Sequence, residues 1–86
     1  MKALMNKEER KEFIEFIDLV IDLIKDLNYK DAIELIKDGI DEFAGSDDEM
    51  INIAYAVVNE TIVYINPDLV VDAIASLEFA KDRLNS

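Results

Sequence analysis

The chain has 86 residues, nine Lys and Arg against twenty Asp and Glu, and a formal charge of −11, with no Cys or His. This is one domain's worth of sequence. The missing residue types exclude disulfide frameworks, zinc-thiolate and histidine metal sites, and nucleophiles that rely on Cys or His. The charge argues against direct contact with nucleic acid or anionic lipid, because phosphates are held by basic patches. High charge with few large apolar residues would mean disorder, but twelve Ile and eight Leu supply a core.

The first helix is expected over roughly residues 7–27. Phe13, Ile17, Val20, Ile24 and Leu27 recur at spacings of four and three, and Ile14, Phe16, Leu19, Ile21 and Leu23 widen that face. So broad a stripe packs against more than one neighbour. Nothing apolar follows Met1-Lys2-Ala3-Leu4-Met5-Asn6-Lys7 for long enough to act as a signal peptide or to span a membrane. A cytoplasmic location is therefore expected.

Asn28 is placed to cap a second helix from Tyr29, whose apolar positions are Ala32, Ile33, Ile36, Ile40, Phe43 and Ala44. Gly39 falls inside it, either to permit close helix contact or as a tolerated defect costing about 1 kcal/mol. Gly45 suits the left-handed residue that ends a helix. Ser46-Asp47-Asp48-Glu49 reads as a capping box with Ser46 at the N-cap. The following residues 50–65 read as a third helix. Their β-branched content leaves a β-hairpin turning near Asn59-Glu60 as the alternative. Asn66-Pro67 marks the next boundary, with Asn66 capping a last helix that buries Val70, Ala73, Ile74, Leu77, Ala80 and Leu84. Short connections favour antiparallel neighbours. The expected architecture is all-α, a compact four-helix bundle.

No catalytic constellation emerges. Carboxylates one turn apart, such as Glu15 with Asp18 or Asp18 with Asp22, have a spacing that could in principle support a hard-metal or glycosidase pair, but they read as a solvated polar strip. A calcium loop starting at Asp38 fails in register, since Ile40 and Phe43 fall where an oxygen ligand and a glycine belong. No enzyme, metal or cofactor is expected.

Charge is the feature that stands out. Residues 1–11 hold four bases and two acids, leaving five bases and eighteen acids over the rest. Such a field steers a basic protein surface onto this one. The expected function is a non-enzymatic acidic domain, of inhibitor or immunity type, that blocks the basic nucleic-acid-binding surface of a partner protein. Candidate contacts are Glu15, Asp18, Asp22, Asp38, Asp41 and Glu42. Phe79 joins them because it shares a polar helix side with Asp72, Ser76 and Arg83. The alternative is an assembly module, a homodimer or accessory subunit, whose charge serves solubility.

Size, charge and helix count are similar to those of the colicin nuclease immunity proteins. Glu12-Phe13 in the first helix resembles theirs, and Tyr64-Ile65-Asn66-Pro67 partly resembles their tyrosine-pair-proline motif. Ile65 stands at the second tyrosine and the third helix is long, so the chain is not assigned to that family.

Overall fold

A computed structural model describes the backbone of residues 2–85 and the side chains of residues 6–85. The described residues form four α-helices and no strand: α1 (Lys2–Lys25), α2 (Tyr29–Gly39), α3 (Glu49–Thr61) and α4 (Val70–Leu84). Two 3₁₀ turns, Ile40–Phe43 and Ile62–Tyr64, extend α2 and α3. The α3–α4 pair has the most extensive contact, α4 also packs on α1, and α1 packs on α2. The four-helix bundle expected from the sequence is present.

The first helix buries Phe13, Ile17, Val20 and Ile24 completely or nearly so, with Phe16 and Ile21 beside them. It starts earlier than expected and ends two residues sooner. Leu27, expected on the buried face, is instead 71% exposed and left-handed, with φ of 66°. The Leu27 N–H donates to the Ile24 carbonyl and the Asn28 N–H to the Leu23 carbonyl. These two bonds are the Schellman closure, which usually has glycine at this position. An L-residue there costs about 1–2 kcal/mol. Leu27→Gly is therefore expected to stabilise the fold by about 1 kcal/mol, raising the thermal midpoint by about 4–8 °C. An unchanged or lower midpoint would show that Leu27 contributes contacts its exposure does not suggest.

Asn28 occupies the N-cap of α2, but its side chain makes no capping hydrogen bond, contrary to expectation. Gly39 is needed for close contact. A Cβ built there would lie 2.6 Å from Cε1 of Phe16, inside any tolerable separation. The glycine ends α2 and lets the Phe16 ring sit against the backbone, while the 3₁₀ turn swings Phe43 into the core. Phe43 stacks parallel on Phe13, with ring centroids 4.2 Å apart, and Phe16 tilts against both. Gly45 adopts the expected left-handed conformation, φ 69°.

The capping box is corrected by two residues. Asp48, not Ser46, is the N-cap of α3, and its side chain accepts from the Met50 N–H at 3.0 Å. The Ser46 hydroxyl accepts from the Asp48 N–H and shapes the turn before it. A tertiary contact accounts for the difference: Asp48 also receives Arg10 from α1, which fixes where its carboxylate sits. The hairpin alternative for residues 50–65 does not form. Ile51, Ala54, Val58 and Thr61 follow helical spacing and are buried, and their packing overrides β propensity. The buried Thr61 hydroxyl is satisfied by the Val57 carbonyl at 2.7 Å.

Asn66 does not cap α4 as expected: the N-cap is Leu69, without a side-chain capping bond. The Asn66 Oδ1 instead accepts from the N–H groups of Asp68 and Leu69, both at 3.0 Å, closing the turn before the helix. The chain makes one further turn over residues 67–69 before regular α4 begins at Val70. Ala73, Leu77, Ala80 and Leu84 then form its buried line. Two of these four are alanines, which lets α4 sit close to both α1 and α3.

Candidate functional surfaces

The outward side of α1 carries Glu8, Glu12, Glu15, Asp22 and Asp26 at alternating helical spacing, with Leu19 exposed among them. Because the inner positions are filled by large apolar residues, these carboxylates are left on the exposed side of the helix. The second helix and its 3₁₀ extension behave likewise, leaving Asp31, Glu34, Asp38, Asp41 and Glu42 exposed. Among the described residues, the five candidates Glu15, Asp22, Asp38, Asp41 and Glu42 take part in no ion pair.

The sixth, Asp18, is different. Its Oδ1 lies 2.6 Å from Nζ of Lys81, tying α1 to α4. Lys81, which also reaches Glu78 at 3.6 Å, is held above its ordinary pKa chiefly by the hydrogen bond it donates to Asp18, against a smaller opposing effect of burial. Asp18 is thus already engaged inside the fold.

A second charged contact escaped the sequence reading. Arg10 and Asp48, 38 positions apart, meet in a two-point pairing, Nε to Oδ2 at 2.6 Å and Nη2 to Oδ1 at 2.9 Å. The Asp48 side chain is 4% exposed and that of Arg10 is 27% exposed. The hydrogen bond from Arg10 holds Asp48 below its ordinary pKa, aided by the Met50 N–H and opposed by burial. A carboxylate held ionised with both oxygens engaged is the reverse of what a general acid needs at neutral pH. Among the described residues, no group of three or more acidic side chains is arranged to hold a metal ion. No helix among them is long and apolar enough to cross a membrane.

Phe79 lies on neither acidic helix. It is 45% exposed, and its ring lies beneath the Arg83 guanidinium, 5.0 Å from centroid to Cζ. It forms one wall of a groove of about 380 Å³ between α3 and α4, lined also by Val57, Glu60, Tyr64, Ala75 and Ser76. The structure therefore separates the candidates into an exposed acidic surface on α1 and α2 and an aromatic groove on α3 and α4. The basic end adjoins the acidic surface: Lys7, Arg10 and Lys11 line a cleft of about 590 Å³ together with Glu8 and Glu15, beside Leu84 and Asn85 at the end of α4.

Comparison of the chain with protein-family models, with curated proteins and with solved structures gives no match.

Proposed function

We propose that this chain is a non-enzymatic, acidic protein-binding domain that covers the basic, nucleic-acid-binding surface of a partner protein in the cytoplasm. The observation that supports this reading is the set of exposed carboxylates on α1, α2 and its 3₁₀ extension, Glu15, Asp22, Asp38, Asp41 and Glu42, that take part in no ion pair among the described residues. On a chain of charge −11 they carry a field that repels phosphate and attracts Lys- and Arg-rich surfaces. Their density along two adjacent helices offers a partner a spaced row of negative charge in place of a phosphate backbone. Such complementarity acts mainly on the rate of encounter and on the choice of partner.

The test is affinity capture from host lysate at low salt, with release by a step to 0.5 M salt and identification by mass spectrometry. It is run beside a variant carrying Glu15→Gln, Asp22→Asn, Asp38→Asn, Asp41→Asn and Glu42→Gln. The wild type is expected to retain nucleases or other nucleic-acid-binding proteins, and the variant to lose them. Retention of the same proteins by both, or of no basic protein by the wild type, would overturn the reading.

A further inference from the structure

The geometry points to the α3–α4 groove as the seat of a second copy of this chain, paired about a two-fold axis through α4. Asp72, Ser76, Phe79 and Arg83 follow one another at spacings of four, three and four along one side of α4, and the middle two, Ser76 and Phe79, line the groove. That stripe is self-complementary. If two copies of α4 cross antiparallel about a point between Leu77 and Glu78, Ser76 of each lies opposite Phe79 of the other. In the same register, Asp72 of each lies opposite Arg83 of the other. An isologous contact requires this reciprocity, each residue facing the partner position that faces it in return.

Volume and chemistry agree with the register. Ala75 and Ser76 are the small residues beside the groove, and a groove of about 380 Å³ between them and Val57 has room for an entering phenyl ring. Phe79 is presented for this, half exposed, with Tyr64 across the groove. Aromatic and Arg residues are the usual anchors of interfaces. Entry of Phe79 also carries Arg83 of the second copy toward two carboxylates, Asp72 by register and Glu60 on the groove wall.

The contact is modest. With 15 residues, α4 is about 22 Å long, so a face two helices wide falls near or below the roughly 800 Å² per partner of a standard interface. The dimer is accordingly expected to dissociate in the micromolar range. It leaves the outer acids of α1 and α2 uncovered, so it adds to the proposed function without depending on it. The two also respond to salt in opposite directions. Two chains of charge −11 repel, and screening relieves that repulsion, whereas attachment to a basic surface weakens as salt rises.

Sedimentation equilibrium of the purified chain from about 5 to 500 µM, at 50 mM and 0.5 M salt, tests the inference without any partner. A monomer–dimer equilibrium that tightens several-fold at the higher salt is expected. Phe79→Ala, at a half-exposed site, should leave helicity intact and weaken the dimer at least about tenfold. Arg83→Asp and Asp72→Arg should each weaken it, the second despite lowering the net charge. The double variant Asp72→Arg/Arg83→Asp, with wild-type net charge, should restore it to within about threefold. A monomer at every concentration, or a dimer indifferent to Phe79→Ala and to both charge reversals, would overturn the assignment.

Discussion

Phe13→Ala is expected to destabilise the protein by about 3–5 kcal/mol. The Phe13 side chain is completely buried, stacks on Phe43 at 4.2 Å and touches Phe16. Truncation forfeits its transfer free energy and leaves a void that the neighbours cannot close. Gly39 and Phe16 are already in contact on one side, and the 3₁₀ turn fixes Phe43 on the other. Domains of this size have total stabilities of about 5–10 kcal/mol, so the loss takes a large share. The thermal midpoint should fall by more than about 15 °C. Phe13→Leu, which refills most of the volume, should cost under about 1.5 kcal/mol. Equal losses for the two variants in urea unfolding would mean that the stacked rings, and not the filled volume, carry the effect.

The second large effect is expected at Asp48. Its carboxylate caps α3 and receives Arg10 in two-point fashion, so Asp48→Ala removes both contacts. Loss of the cap costs about 1 kcal/mol. Breaking a fully buried pair costs about 3–5 kcal/mol, but the Arg10 side chain is 27% exposed and reaches water, so the total should be about 2–3 kcal/mol. Asp48→Asn keeps a capping oxygen and should lose less. A pH signature accompanies this. Because the folded state holds Asp48 below its ordinary value of 3.8, its contribution is complete above that value and fades as pH falls through the lowered one. Repulsion among the exposed acids acts oppositely, easing as they protonate. The wild-type midpoint should thus hold level or rise from pH 7 to about 5 and drop below about pH 4. Asp48→Ala should show a shallower acid limb. A wild-type midpoint that falls steadily from pH 7 to 5.5 would contradict the repulsion argument.

Helix identity and the inner faces were legible because buried spacing has a simple period. Phe13-Ile17-Val20-Ile24 and Ala73-Leu77-Ala80-Leu84 could be read directly, and even the β-branched run 50–65 yielded to its helical arrangement. What periodicity could not give was where each helix stops. Leu27 fits the stripe by number, yet it is exposed because the chain turns left-handed one step earlier than the apolar pattern implies. Asp48 outcompetes Ser46 for the cap because of a partner 38 residues away, which no local window contains. The need for glycine at position 39 comes from the ring of Phe16, on another helix.

The candidate surface was legible in the same uneven way. Exposure of Glu15, Asp22, Asp38, Asp41 and Glu42 follows from the amphipathic pattern alone. The engagement of Asp18 by Lys81 does not, since it needs the relative placement of α1 and α4. Phe79 stood out as an aromatic on a polar helix side, but the groove exists only because α3 and its 3₁₀ turn bring Val57 and Tyr64 alongside. The acidic surface and the groove are consequently two features with separate physics, one long-range and salt-screened, the other short-range and apolar.

The central claim is that the acids of α1 and α2 occupy a partner's nucleic-acid-binding surface. Its most direct test is competition: displacement of a fluorescent nucleic acid from a captured nucleic-acid-binding partner, titrated with this chain at 50 mM and 0.5 M salt. The account predicts stoichiometric displacement at low salt, an affinity at least about tenfold weaker at high salt, and no displacement by the variant neutralised at Glu15, Asp22, Asp38, Asp41 and Glu42. Binding that leaves the nucleic acid in place, or displacement that survives both high salt and neutralisation, would contradict it.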